Sequence, residues 1–132
     1  MKRNLISLFA GAGGLDLGLE MAGFTTRVAN ELEPHACETL RWNKAIARMS
    51  GEELDGFVSA SLSQRCYKGI SEVEKKALFS RIRTCDRSEF LTEAEIIEGD
   101  IREVSSTAFQ AALYGEDLFC IAGGPPCQPF SK

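Results

Sequence analysis

Short apolar segments alternate with helix-like segments along this chain of 132 residues, and few folds accommodate that alternation. Strands followed by helices favour an α/β fold in which parallel strands form one sheet covered by helices. The predicted strands cover residues 5–9, 25–29, 96–98 and 118–122. The predicted framework helices cover residues 15–22, 34–47 and 106–114. Leu15, Leu19 and Ala22 lie on one side of the first helix, and Gly23 is placed to end it.

The stretch from residue 48 to residue 95 differs from this framework because it is polar and has few apolar residues. Ser50 with Glu53, and Ser71 with Glu74, have the spacing of a capping box, in which two residues satisfy the first amides of a helix. The pattern predicts a short helix at 51–58, a longer one at 72–83 and an irregular segment at 59–70. We interpret 48–95 as a helical insertion, either a surface elaboration or a docking element.

The composition excludes several classes of protein. Hydrophobic residues make up 44% and charged residues 26%, which is typical of a soluble domain. No apolar stretch reaches the roughly 20 residues that a membrane span needs. Five cysteines without a secretory signal favour reduced thiols in a cytosol-like compartment. One histidine and the absence of a C-x-x-C pair lead us to expect no metal site. A net charge of −4 argues against a self-sufficient DNA-binding protein.

The loops after the four predicted strands are expected to meet at one rim, because ligands of parallel sheets bind beyond the carboxyl ends of the strands. The first of these loops contains Gly11, Gly13 and Gly14, which allow a ligand to approach the backbone closely. Asp16 stands where a dinucleotide fingerprint has its third glycine, and a carboxylate is a poor neighbour for pyrophosphate. A cofactor that has a free amino group and no phosphate fits better. The alternative is a tight turn without a ligand.

Two acidic residues follow the next strands. Glu31 comes 18 positions after Gly13 and could accept hydrogen bonds from both ribose hydroxyls, with Glu33 as a competitor. Asp100 could accept a hydrogen bond from an exocyclic amine such as the adenine N6, with Ile101 packing on the ring. A solvated glutamate and a turn aspartate remain the alternatives.

The last loop carries the strongest signal for chemistry. Three prolines stiffen residues 125–129, and Cys127 lies among them. A rigid loop that presents a thiol at the edge of a sheet suits a positioned nucleophile. Cys120, which lies in the apolar fourth strand, is expected to be buried and inert.

These four segments, in this order, resemble the DNA cytosine-5 methyltransferase family. The matching strings are Leu8-Phe9-Ala10-Gly11-Ala12-Gly13-Gly14-Leu15, Asn30-Glu31, Glu98-Gly99-Asp100-Ile101 and Gly123-Gly124-Pro125-Pro126-Cys127-Gln128-Pro129-Phe130-Ser131. The resemblance implies a Rossmann-like fold that binds S-adenosylmethionine, of which residues 1–132 are the amino-terminal part. It also implies that Cys127 is the catalytic nucleophile. The residues expected to bind the cofactor are Phe9, Gly11, Gly13, Gly14, Glu31, Leu32, Asp100, Ile101 and Pro125.

The resemblance also implies which family motifs this sequence lacks and which substrate the enzyme acts on. The family's later Glu-Asn-Val motif, arginine-bearing motifs and target-recognition region do not follow Lys132. We therefore expect a second chain or a longer polypeptide to supply them, and no activity from this chain alone. The substrate would be double-stranded DNA with a flipped cytosine, in a restriction-modification system of the bacterial cytoplasm and nucleoid. The alternatives are a non-catalytic S-adenosylmethionine-binding subunit or scaffold, and a nucleotide-cofactor oxidoreductase module.

Overall fold

The computed structural model describes residues 2–62, 69–84 and 89–125. Strands and helices alternate within these ranges, as the sequence predicts. The strands are β1 (Asn4–Leu8), β2 (Thr25–Glu31), β3 (Glu95–Glu98) and β4 (Leu118–Gly123). The helices are α1 (Gly14–Met21), α2 (Pro34–Arg48), α3 (Gly51–Leu62), α4 (Glu72–Thr84) and α5 (Ser106–Ala112).

The four strands form one parallel sheet in the order β3-β2-β1-β4. This sheet confirms the predicted α/β class, and it is consistent with a Rossmann-like methyltransferase fold. The chain moves outward from β1 through β2 to β3, and then returns to place β4 on the other side of β1. The order of the strands therefore reverses between β1 and β4, and such a reversal opens a crevice beyond the carboxyl ends of the two strands.

Each face of the sheet is covered by its own apolar cluster. On one face, Ala112 of α5 packs with Ile6 of β1 and Val28 of β2. On the other face, Leu40 of α2 packs with Ala29 of β2, together with Ala10, Leu91 and Ala94. Neighbouring residues of β2 thus face opposite sides, as the twofold repeat of a strand requires. The two clusters hold the ends of β1 and β2, and the loops that follow them, in a fixed position.

Local signals account for several of the helix ends. Gly23 has a φ of 88° and its amide bonds the Glu20 carbonyl at 2.9 Å, so α1 ends at the predicted glycine. Pro34 occupies the first turn of α2. Both predicted capping boxes form, since the Ser50 and Ser71 amides each donate to the glutamate three residues later. The irregular segment predicted at 59–70 is wrong for 59–62, where α3 continues. Residues 63–68 lie outside the described ranges.

Leu15 of α1 is half exposed, whereas the buried residue of that helix is Asp16. One expectation about the core is wrong. Cys120, expected in the core, is only partly buried because β4 pairs with β1 alone among the described strands. Phe119 and Ile121 on the same strand are more than half exposed. In the described part of the chain, no helix combines the length and apolar character of a membrane span.

Candidate cofactor site

Parallel pairing brings the carboxyl ends of all four strands to one rim, where the predicted site residues lie as far as they are described. Leu8, Asn30 and Gly123 are aligned across β1, β2 and β4, and Glu31 is aligned with Glu98 of β3. The segments that follow carry the glycine loop, Leu32, Asp100 with Ile101, and Pro125. Cys127 lies outside the described residues. Its assignment as a nucleophile therefore stays a prediction.

The glycine loop turns sharply at the end of β1. Phe9 has a φ of 54°, an uncommon conformation for a residue with a side chain, and it leaves the strand that the sequence predicted to include it. Its ring is 38% exposed at the rim. Backbone strain of this kind is concentrated at ligand-binding sites. The turn is closed by the Gly13 amide, which donates to the Ala10 carbonyl at 3.0 Å.

The glycines of the loop serve different purposes. Gly11, with a φ of 56°, has no atom within 4 Å of the place where a Cβ would stand, so its outer side is open. A Cβ on Gly13 would lie 2.9 Å from Leu40 Cδ2, and Gly13 also has a φ of 86°. Gly13 is therefore required by packing against α2, whereas Gly11 offers an open backbone to a ligand. Gly14 begins α1 and is exposed.

The Glu31 carboxylate is held by three backbone amides. Oε2 accepts from the Gly11 amide at 2.7 Å, and Oε1 accepts from the Leu32 and Glu33 amides at 2.8 and 2.9 Å. Burial raises the pKa of Glu31, but the amides of Glu33, Gly11 and Leu32 outweigh it and bring the pKa below its ordinary value. The side chain is thus a fixed anionic acceptor. Glu33, the predicted competitor, instead caps α2 by accepting from the Ala36 amide at 2.7 Å.

Asp100 follows β3 and is paired with Arg102. The Arg102 guanidinium donates to both carboxylate oxygens, and the Arg102 amide donates to Oδ1 at 2.9 Å. These bonds lower the pKa of Asp100 to about 2, so the group is ionised at neutral pH. Ile101 beside it is partly buried, and Leu32 is 62% exposed. Charged acceptors and apolar surface therefore adjoin at the rim.

The end of β4 passes very close to β1. A Cβ on Gly123 would lie 2.5 Å from the Leu8 carbonyl oxygen, which no side chain could tolerate without movement of the backbone. Glycine at this position lets β4 stay paired with β1 up to the rim. Gly124 and Pro125 follow directly after β4.

A buried polar cluster lies beneath the rim, between α1 and the sheet. Asp16 is fully buried, and within the described structure neither of its carboxylate oxygens makes a hydrogen bond of good geometry. Burial raises the pKa of Asp16, and the nearby Ser7 hydroxyl opposes that rise. Burial also raises the pKa of Glu20, one turn further along α1, although the Leu91 and Thr26 amides donate to it. The sequence suggested that Asp16 repels phosphate at the rim, but the structure places it behind the loop.

Sequence reasoning assigned no role to Asn30, although Asn30 is central to the rim. The side chain is 2% exposed, and its amide nitrogen donates to the Ile97 and Gly99 carbonyls at 3.0 Å each. The Asn30 carbonyl accepts from the Ala10 amide at 3.0 Å. The Asn30-Glu31 string marked its position in the sequence, but nothing near it indicated these partners. A cavity of about 450 Å³ beside Leu17 and Phe24 contains none of the predicted site residues.

Comparisons with known proteins point to one family. Residues 3–63 match the model of the C-5 cytosine-specific DNA methylase family. The type II methyltransferase M.NgoMIV of Neisseria gonorrhoeae is 32% identical over 100% of this chain and 25% of its own length. The type II methyltransferase M.AquIA of Picosynechococcus is 29% identical over 99% of the chain and 35% of its own length. The type II methyltransferase M.Eco47II of Escherichia coli is 29% identical over 96% of the chain and 18% of its own length.

This chain therefore spans about a third or less of the length of these curated relatives. The similarity to M.NgoMIV and M.AquIA extends over nearly the whole chain, including the segments that carry the glycine loop and Asp100. No solved structure matches the chain significantly.

Proposed function

Because the chain belongs to the C-5 cytosine-specific DNA methylase family, we propose that it forms the cofactor-binding and nucleophile-bearing part of a DNA cytosine-5 methyltransferase. The observation that carries the proposal is the rim itself. There, an open glycine loop after β1, an anchored glutamate at the end of β2 and an ionised aspartate after β3 lie along one edge of the sheet.

The rim suits S-adenosylmethionine, the methyl donor that the family generally uses. Glu31 is ionised and fixed, so it can accept hydrogen bonds from ribose hydroxyls through its remaining lone pairs. Asp100 can accept from the adenine amine, with Ile101 and Leu32 against the ring. Phe9 offers an exposed ring for the adenine, and Gly11 leaves room for the methionine part. Gly13, Gly14 and Pro125 shape the backbone around it.

The reaction needs a nucleophile because carbon 5 of cytosine is too electron-poor to take up a methyl group unaided. We assign that nucleophile to Cys127. Addition of its thiolate to carbon 6 makes carbon 5 electron-rich enough to attack the sulfonium methyl group, which S-adenosylmethionine supplies. Loss of the carbon-5 proton then restores the double bond and expels the thiolate. At its ordinary pKa near 8.5, a thiol is only a few per cent ionised at about pH 7, so the site must either activate it or work with that small fraction.

The DNA partner would be a duplex with the target cytosine flipped out, since a stacked base hides the face that the thiol attacks. The net charge of −4 indicates that other parts of the enzyme grip the phosphates. We infer that the missing length, in the same or a second polypeptide, carries those parts. The named relatives are bacterial type II methyltransferases, so we place the protein in a restriction-modification system of the bacterial cytoplasm and nucleoid.

Binding of S-adenosylhomocysteine by the purified chain tests the cofactor assignment. We expect calorimetric titration to give one site per chain, with no comparable binding of NAD. The glycine spacing also admits a nucleotide-cofactor oxidoreductase module, and a clear preference for NAD would favour it. A third outcome would indicate a scaffold subunit. In that case the chain would bind S-adenosylhomocysteine, but the activity of the reconstituted enzyme would not depend on Cys127.

A further inference from the structure

Asn30, within β2, connects the loops that follow β1 and β3. It is the next-to-last residue of β2, between the ends of β1 and β3. Its main-chain carbonyl accepts from Ala10 of the glycine loop at 3.0 Å. Its side-chain amide donates both hydrogens toward β3 and the loop after it, to the Ile97 and Gly99 carbonyls. One buried side chain therefore sets the path of the segment that leads into Asp100.

Only an amide of this length suits the position. Two partly buried backbone carbonyls face the side chain, and each accepts a hydrogen bond from it. The NH2 group of asparagine supplies two hydrogens from one atom. An aspartate there would present an ionised oxygen to two carbonyl oxygens, and an apolar residue would leave both carbonyls unpaired. The geometry thus fixes the orientation of the Asn30 amide as well as its identity.

The Gly99 backbone needs such support. Gly99 has a φ of 154°, in a region that residues with side chains rarely adopt and that only glycine visits freely. Its amide donates to the Glu31 carbonyl at 2.9 Å, and its carbonyl accepts from Asn30. Asp100 follows directly. The direction in which Asp100 leaves the sheet therefore depends on Gly99 being held at both its amide and its carbonyl.

We propose that Asn30 is a positioning residue that aligns Asp100 with the 6-amino group of adenine and so determines the discrimination of the site between amino and oxo purines. This proposal rests on the cofactor assignment above. Asn30 itself is buried and does not touch the ligand. Its effect is transmitted through the Gly99 carbonyl. Loss of the Asn30 amide should therefore reduce the contribution of the purine 6-substituent to binding, rather than weaken all ligands equally.

The test compares two ligands on the purified chain, S-adenosylhomocysteine and its inosine analogue, in which oxygen replaces the 6-amino group. We expect the wild-type chain to prefer the adenine ligand by roughly 10-fold to 100-fold, as expected for a hydrogen bond to a charged acceptor. Asn30→Asp should reduce that ratio to the value measured for Asp100→Ala. Asn30→Ser, which can donate only one hydrogen bond, should give an intermediate ratio and is the variant to use if Asn30→Asp does not fold.

Asn43→Asp makes the same chemical change on α2, away from the rim, and should keep the wild-type ratio. An unchanged ratio in both Asn30 variants, or an equal loss of affinity for both ligands, would overturn the proposal. Failure of the wild-type chain to bind either ligand would refute the cofactor assignment separately. In that case, amide hydrogen exchange at Gly99 in the ligand-free chain decides the positioning role. Faster exchange in Asn30→Ser supports the role, and unchanged exchange refutes it.

Discussion

Replacement of Asp16 by asparagine should stabilise the chain. In the described structure the Asp16 carboxylate is fully buried without a satisfactory hydrogen-bond partner, and leaving such a group unpaired costs about 1–3 kcal/mol. Asparagine has nearly the same shape and no charge to desolvate. It loses a favourable interaction with the amino end of α1 of about 0.3–1 kcal/mol. Once the carboxyl is ionised, the net expectation is a gain of about 1–2 kcal/mol, or roughly 3–10 °C in Tm for a chain of this size.

The pH dependence gives this prediction its sharpest test. The pKa of Asp16 is raised in the folded chain, so the folded state binds a proton more tightly than the unfolded state. The wild-type chain therefore loses stability as the pH rises from the ordinary aspartate pKa through the raised value, and the loss is complete above it. The advantage of Asp16→Asn should be full above the raised pKa and should shrink as the pH falls toward the ordinary value of 3.8.

Urea denaturation followed by circular dichroism at several pH values measures this advantage. Asp117→Asn, at an exposed position, removes the same charge and serves as the matched control. We expect the control to change the free energy of unfolding by less than about 0.5 kcal/mol. No gain for Asp16→Asn at neutral pH would show that a stabilising partner offsets the burial of the carboxylate. An equal gain at every pH would show that ionisation of Asp16 is not the cause of the gain.

Three further substitutions test the rim. Gly123→Ala should destabilise the chain by about 1–3 kcal/mol in urea denaturation, because its Cβ would lie 2.5 Å from the Leu8 carbonyl oxygen. Gly124→Ala is the matched control and should be tolerated, because the space around Gly124 is open. Gly13→Ala should destabilise by at least about 1–2 kcal/mol, since it combines a positive φ with a close contact in the core. Glu31→Gln should lower the affinity for S-adenosylhomocysteine roughly 10-fold or more by calorimetry, because one amide-bound oxygen becomes a donor; undiminished affinity would remove Glu31 from the site.

Local signals predicted the framework well because they act within a few residues. Alternation of apolar and helical segments gave the strands, and Gly23, Pro34 and two capping boxes gave helix ends close to those observed. Parallel order then placed the loops at one rim without further information, since all strands of such a sheet end on the same side. The sequence favoured Glu31 over Glu33 as the ribose acceptor but could not exclude Glu33. Its role as the cap of α2 depends on the exact residue at which that helix begins.

Contacts between distant segments could not be predicted in this way. Asn30 bonds residues 67 and 69 positions away, and nothing near it in the sequence indicates those partners. Buried Arg27 bonds Glu93 and Glu116 at 2.6 and 2.5 Å at the other end of the sheet, yet it appears as an ordinary strand residue in the sequence. The exposure of Leu15 could not be predicted either, because helical spacing shows which residues share a face but not which face meets the sheet.

Transfer of labelled methyl groups from S-adenosylmethionine to DNA tests the central claim most directly. The experiment needs a polypeptide, or a pair of chains, that joins residues 1–132 to the length present in the relatives. We predict label at carbon 5 of cytosine with that assembly, none with this chain alone, and none when the assembly carries Cys127→Ser. Cys120→Ser, which changes a partly buried thiol in β4, should retain activity. Undiminished methylation by the Cys127→Ser assembly, or label recovered on an atom other than carbon 5, would contradict the account.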